Sequence, residues 1–201
     1  MGYRVSSDLC VTMASEQGIS GATTTDSNHT LPIAENLLRR NFTPETPNRV
    51  WTSGITYIAT DEGWLYLAIV LDLFNREVIG WSIKSRMTAD IVTDALTMAC
   101  FRRKPDAGVL FHSDRGSQYA SYAVRDKLIE YQMTASMSRK ANCWDNAPTE
   151  SFFNSLKNER VYATRYATRV MLRLIYSNIL RPFTTGGVAT PRWAIARQLS
   201  S

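Results

Sequence analysis

Hydrophobic residues crowd the middle of the chain in three runs, Trp51–Thr60, Trp64–Phe74 and Glu77–Ile83, separated by Asp61-Glu62-Gly63 and by Asn75-Arg76. Runs of this length, rich in β-branched and aromatic residues and divided by turn formers, predict three strands in an antiparallel meander. The period then changes. Ile91, Ala95, Met98 and Ala99 fall at helical spacing behind Thr88, which predicts a helix N-capped by Thr88 and running to about Arg103. Val109–Phe111 reads as a short buried strand, Ser121–Tyr131 as a helix and Met133–Met137 as a last strand, before a loop over Ser138–Ala147 and a further helix. Three strands followed by alternating helix and strand predict an α/β fold, a mixed five-stranded sheet with helices packed on it.

The two ends read differently. Residues 1–48 are polar and rich in Ser, Thr and Asn, a poorly structured linker in which only Ile33–Leu38 hints at a short helix. With 201 residues and 44% hydrophobic content, the chain can bury one core. Its cysteines, Cys10, Cys100 and Cys143, have no paired spacing, and only His29 and His112 could join them, so neither a zinc site nor a disulfide framework is expected. That usage fits a reducing cytoplasm. The longest apolar run, Trp64–Leu71, is too short to span a bilayer, and no membrane partner is expected. Met1–Ser6 matches the loose myristoylation pattern, which we treat as chance.

The net charge of +5 invites a nucleic-acid reading, but Lys plus Arg against Asp plus Glu number 13 and 13 in residues 51–160, and 6 and 0 in residues 161–201. The middle is neutral, so any DNA affinity there rests on local clusters such as Arg139-Lys140 and on Lys157.

Two carboxylates carry the candidate chemistry. Asp114 follows the strand Val109–Phe111 in Phe111-His112-Ser113-Asp114-Arg115-Gly116-Ser117-Gln118-Tyr119. Glu150 follows Asn142-Cys143-Trp144-Asp145-Asn146-Ala147-Pro148-Thr149, where Asp145 or Asn146 can N-cap a helix and Pro148 suits its first turn. A carboxylate at a strand end and one at a helix start can meet across a cleft, as metal-dependent phosphodiester chemistry requires. Either residue alone would more often be a solvated surface charge.

The surrounding strings shift that balance. Val50-Trp51-Thr52-Ser53-Gly54-Ile55-Thr56-Tyr57, Glu62-Gly63-Trp64-Leu65-Tyr66-Leu67, Leu71-Asp72-Leu73-Phe74, Gly80-Trp81, the Asp114 string and the block Asn142–Lys157 occur in that order, with 35 residues between Asp114 and Glu150. Together they resemble the integrase core of the IS-three group of bacterial insertion-sequence transposases, relatives of retroviral integrases with a ribonuclease-H-like fold. The resemblance implies a core over residues 49–162, two Mg²⁺ or Mn²⁺ ions, DNA as partner (element ends and target) and a homo-oligomer. It also implies a bacterial cytoplasmic protein at the nucleoid. The helix-turn-helix parts that bind element ends in complete members have no counterpart in these strings.

The family's three catalytic acids fall on Gly54, Asp114 and Glu150. The first, an aspartate that bridges both ions, is glycine here, so strand cleavage and joining are expected to be far slower than in relatives. Asp61 at the hairpin tip and Asp72 on the next strand are the acids that could substitute. By the same resemblance Lys157, seven residues past Glu150, touches the DNA backbone, with a solvated helix lysine as the alternative. Arg139 and Lys140 are further DNA contacts, and His112 and Asn154 complete the candidate set. His112 is expected to hydrogen-bond at the strand edge, and Gly116 to permit a tight turn. Trp51, Trp64, Trp81 and Trp144 read as packing anchors in preference to DNA-stacking groups.

Past Arg169 the resemblance stops. One choice of codons for Leu174–Trp193, read from the third base of the first, spells DLFEYLEAFYNRRRRHSTL, the family's own tail, so within a C-terminal tail over residues 163–201 a frameshift is expected near residues 170–173, leaving the last thirty residues out of frame and poorly packed. Three classes follow: a transposase core; a non-catalytic DNA-binding or multimerising remnant that interferes with an intact enzyme; and a pseudogene product. A generic ribonuclease-H-like nuclease is the other enzymatic reading.

Overall fold

The computed structural model describes residues 29–140, 142–161 and 164–180, with the side chains of Cys143 and Arg160 excepted. Strands β1 (Val50–Thr60), β2 (Gly63–Asp72) and β3 (Glu77–Lys84) form the antiparallel meander. Helix α1 (Ala89–Arg103), strand β4 (Leu110–Ser113), helix α2 (Tyr122–Glu130) and strand β5 (Thr134–Met137) follow. β4 lies parallel to β1 and β5 parallel to β4, which gives the order β3-β2-β1-β4-β5 and puts β1 in the middle. The expected mixed sheet is what forms, because α1 and α2 supply the crossovers that parallel neighbours need.

Both faces of the sheet are covered, which explains why β2 reads as nearly continuous apolar sequence. On one face Trp51, Ile55, Ala68 and Val70 pack against Ile91, Val92, Ala95, Leu96 and Ala99 of α1 and Val124 and Leu128 of α2. Small residues set the distance there: a Cβ on Gly80 would stand 2.1 Å from the Ala95 carbonyl oxygen, so α1 rests on the bare backbone of β3. On the other face Ile58, Leu65, Leu67, Ile69 and Leu71 meet Phe152, Phe153 and Leu156 of helix α3 (Ala147–Leu156). A 3-10 turn, Cys143–Asn146, leads into α3 and a π-helical turn, Lys157–Val161, leads out.

Two local expectations are corrected, and the N-cap of α3 falls to one of its two candidates. Residues 33–38 are not helical: the Leu37 and Leu38 amides donate to Ser136 Oγ at 3.0 and 3.3 Å, so an external acceptor draws this segment out along the end of β5. Thr88 occupies the N-cap of α1 but makes no side-chain cap bond, because its hydroxyl turns to Asp90. Asp145 does not cap α3. Asn146 holds that position, also without a side-chain cap bond, while Asp145 is spent on arginines.

Residues 164–180 pack on the core. Helix α4 (Arg169–Leu180) buries Leu172, Tyr176 and Leu180, four apart on one face, and Tyr166 lies edge-on to Tyr176 with ring centroids 6.1 Å apart. Val170, Met171 and Leu174 remain exposed on its outer side. The rest of the tail read as out of frame, residues 181–201, lies outside the described residues, as does the first part of the linker, residues 1–28.

Candidate active site

β1 and β4 run parallel side by side, and their pairing matches Thr52 with His112. Asp114, one residue past β4, therefore emerges at the C-terminal end of an interior strand, beside Gly54, which sits in the central strand opposite Ile69 of β2. The Asp114 carboxylate accepts from the Gly116 amide at 2.7 Å, a tight Asx-type turn that fixes its direction. Glu150 lies in the first turn of α3. Its carboxyl is pushed up to about 7, first by desolvation and second by the charge of Asp114, so the two carboxylates lie within electrostatic reach. Glu150 is nonetheless exposed, and water screens part of this effect.

Gly54 shares the alternating face of β1 that carries Thr52, Thr56 and Ile58 and looks toward α3. The position is closed as well as uncharged. A Cβ built there would lie 2.7 Å from Thr149 Cγ2 and 2.9 Å from Phe153 Cε2, the residues one before and three after Glu150. Thr149 is fixed in turn by its hydroxyl, which donates to Thr52 Oγ1 at 2.9 Å. Helix α3 thus packs into the room that a first-strand side chain would need.

The proposed substitutes stand elsewhere. Asp72 pairs across from Trp51, three positions along β1 from Gly54, and is fully buried accepting from the amides of Asn48 and Phe74 at 3.0 and 3.1 Å. Asp61, at the far hairpin tip, pairs with Arg165 at 3.0 Å. Both acids are used by the fold, and neither reaches the Gly54 position.

His112 is wholly buried, with Nδ1 2.9 Å from Ser136 Oγ and Nε2 3.3 Å from Ser138 Oγ, so it ties β4 to β5 directly beneath Asp114. Burial pushes its pKa down to about 4, partly opposed by Asp145. A group whose folded pKa lies below its unfolded value of ~6.5 stabilises fully above that value and loses its contribution as pH falls toward the folded one. The fold is therefore expected to lose about 2 kcal/mol between pH 7 and pH 5 through His112. Glu150 titrates in the same window with opposite sign, since its raised carboxyl takes up a proton in the folded state. Urea unfolding of a Glu150→Gln protein at the two pH values isolates the His112 effect; a flat profile would show that His112 is not held neutral.

The other candidates are dispersed. Lys157, just beyond α3, places Nζ 4.6 Å from the Tyr57 ring centroid, and burial lowers its pKa. Asn154 is exposed one turn past Glu150. Lys140 is exposed, and Arg139 donates to Asp145 through its amide, Nε and Nη2 at 2.8 to 2.9 Å. Trp51 is buried, Trp64 and Trp81 are half-buried, and Trp144 is exposed.

Sequence reasoning missed four residues. Asp145, fully buried, also accepts from Arg40 Nε at 2.9 Å and Asn36 Nδ2 at 2.8 Å, which clamps residues 36–40 to the loop before α3. Asn146 donates to the Ser53 carbonyl at 3.0 Å, its Nδ2 would stand 3.8 Å from a Cβ at Gly54, and its Oδ1 is buried without a hydrogen-bond partner. Thr149 closes the Gly54 position. Tyr119 places its hydroxyl 2.9 Å from Ser53 Oγ on the opposite face, with its phenol pushed up by burial and then by Asp114. Only a spatial partner distinguishes these four from their neighbours; their residue types carry no special signal.

A family model described as an integrase core domain matches residues 44–143. The transposase InsF for insertion sequence IS3A of Escherichia coli (strain K12) is 47% identical over 152 residues, covering 76% of this chain and 53% of InsF. The insertion element IS600 uncharacterized 31 kDa protein of Shigella sonnei is 48% identical over 146 residues, covering 73% of this chain and 54% of that protein. The chain thus spans about half the length of the curated relatives it matches. Among solved structures, the catalytic domain of Mos1 mariner transposase superposes with a TM-score of 0.54 at 17% identity, over 67% of this chain and 70% of that one. A chain of the simian T-cell lymphotropic virus intasome superposes with a TM-score of 0.52 at 16% identity, over 78% of this chain and 55% of that one. These two share the fold, a mixed five-stranded sheet with flanking helices of the ribonuclease-H-like kind. With its strand order, its cleft at the end of β4 and nearly half its aligned residues in common with InsF, the chain belongs to the integrase-core family, in the IS3 group of insertion-sequence transposases.

Proposed function

We propose that this chain is the core of an insertion-sequence transposase that keeps the DNA-facing cleft but has lost strand cleavage and strand transfer at Gly54. The observation that carries this reading is the crowded glycine at position 54, where even a Cβ would stand within 3 Å of Thr149 and Phe153 of the helix that bears Glu150. Among the described residues no three of His, Cys, Asp and Glu gather to hold a metal ion. Asp114 and Glu150 suit one Mg²⁺ or Mn²⁺ completed by water, whereas a second ion has no bridging donor, so the two-ion site of intact relatives does not fit these residues. No reaction step is therefore assigned to bound metal.

What the residues retain is a set of cations flanking α3 in the chain, Arg139 and Lys140 in the loop before it and Lys157 just past its end, which supports binding to the DNA of element ends and target. Self-association with a second copy and a place at the bacterial nucleoid are part of the same proposal. No helix among the described residues is long and apolar enough to cross a membrane. The packed sheet and cleft favour a DNA-binding or multimerising remnant over an unfolded pseudogene product. The test is plasmid nicking in Mg²⁺ and in Mn²⁺ alongside filter binding of the same DNA. DNA binding without nicking is the expected result; nicking by the unaltered chain would show that Gly54 is not a lost ligand.

A further inference from the structure

Trp144 is 64% exposed, whereas the other tryptophans among the described residues are buried or half-buried. Singly exposed apolar side chains are ordinary, and Phe101 at 78% is more exposed still; what sets Trp144 apart is its rigid and basic support. Its backbone is not free to fold the ring away. Within the same 3-10 turn, Asp145 is held by Arg40, Arg139 and Asn36, and Asn146 is tied to β1 through the Ser53 carbonyl. Arg40 Nη2 also reaches Asn142 Oδ1 at 2.8 Å, two residues before the indole. The ring is thus presented on a fixed support that runs straight into the helix bearing Glu150.

The support is basic. The Arg40 and Arg139 side chains are 43% and 57% exposed even while paired with Asp145, and Lys140 is exposed. Two guanidinium groups share the one buried carboxylate of Asp145, and the exposed Lys140 follows Arg139 in the chain, which leaves a positive surplus in the segment that carries the indole. An exposed aromatic among cations matches a nucleobase with its flanking phosphates. A paired duplex hides its base faces within the stack, so the matching ligand is an unpaired nucleotide.

We propose that Trp144 is a stacking platform for an unpaired base at a frayed or single-stranded DNA end, with Arg40, Arg139 and Lys140 toward the adjoining phosphates. This rests on the DNA-binding reading above. The test compares fluorescence anisotropy of a blunt duplex and of the same duplex with a short unpaired 3′ thymidine tail, at one salt concentration, for the unaltered chain, Trp144→Ala, Trp144→Phe and Lys140→Ala. The unaltered chain should prefer the tailed duplex by about tenfold. Trp144→Ala should abolish that preference, Trp144→Phe should keep most of it, and Lys140→Ala should weaken both duplexes alike. No tail preference in the unaltered chain, or a preference that survives Trp144→Ala, overturns the stacking proposal and leaves DNA binding standing. Failure to bind either duplex overturns the DNA-binding reading along with it.

Discussion

Gly54→Asp combined with Thr149→Ser should raise Mn²⁺-dependent plasmid nicking by about 100-fold or more over the unaltered chain, and Gly54→Asp alone should recover less. The first part follows from what a bridging carboxylate supplies: Lewis-acid stabilisation worth several kcal/mol, with each ~1.4 kcal/mol a factor of ten in rate. The second follows from packing. An aspartate Cβ at Gly54 meets the Thr149 methyl at 2.7 Å and the Phe153 ring edge at 2.9 Å, so both must yield. The phenyl ring can swing, but Thr149 can turn its methyl aside only by giving up its hydrogen bond to Thr52. Serine at 149 removes the methyl and keeps that hydroxyl. Even a displacement of ~1 Å at a reacting centre costs on the order of 100-fold, so relief of the contact should appear in rate as well as stability. Adding Glu150→Gln should silence the double variant. Equal activity in Gly54→Asp and the double variant would refute the packing argument, and silence of both would place the defect outside this position.

Asp145→Asn should lower the unfolding free energy by about 2–4 kcal/mol, measured by urea denaturation at pH 7. Asp145 is a fully buried carboxylate whose oxygens accept from two guanidinium groups, a carboxamide and the Arg139 amide. The Arg139 hydrogen bond first, and then its amide and Arg40, hold the Asp145 carboxyl below the usual carboxylate range. Its contribution is present above the unfolded value of ~3.9 and is lost as pH falls below it. The unaltered chain should therefore lose stability below about pH 4 with a slope that Asp145→Asn lacks. Half-exposed arginines can rehydrate when the charge goes, which keeps the cost below that of a pair buried on both sides. A loss smaller than about 0.5 kcal/mol would mean that the clamp between residues 36–40 and the α3 loop is incidental.

Asp145 also shows where sequence reading ran out. Before a helix with Pro at its start, an Asp-Asn pair reads as a cap, because capping is a local act between neighbouring residues. The arginine that overrode it, Arg40, lies 105 positions away. Lys157 is similar: its distance from Glu150 along the chain was plain, but the Tyr57 ring that takes its ammonium comes from β1, a hundred positions earlier. The run Ile33–Leu38 has a helix-like pattern that lost to Ser136 Oγ at the end of β5.

The sequence by itself determined the order and kind of the elements from β1 to α3, since strand and helix periods, turn residues and the strings around Asp114 and Glu150 are local and lie within a few positions of one another. It determined the integrase-core family for the same reason. Tertiary structure alone decided that the Gly54 position is filled, that Asp61 and Asp72 are committed elsewhere, that Asp145 clamps and that Trp144 stands in water. Each of those facts depends on which distant side chain arrives within a few ångströms, and close packing between non-neighbouring residues leaves no mark on the residues that take part in it.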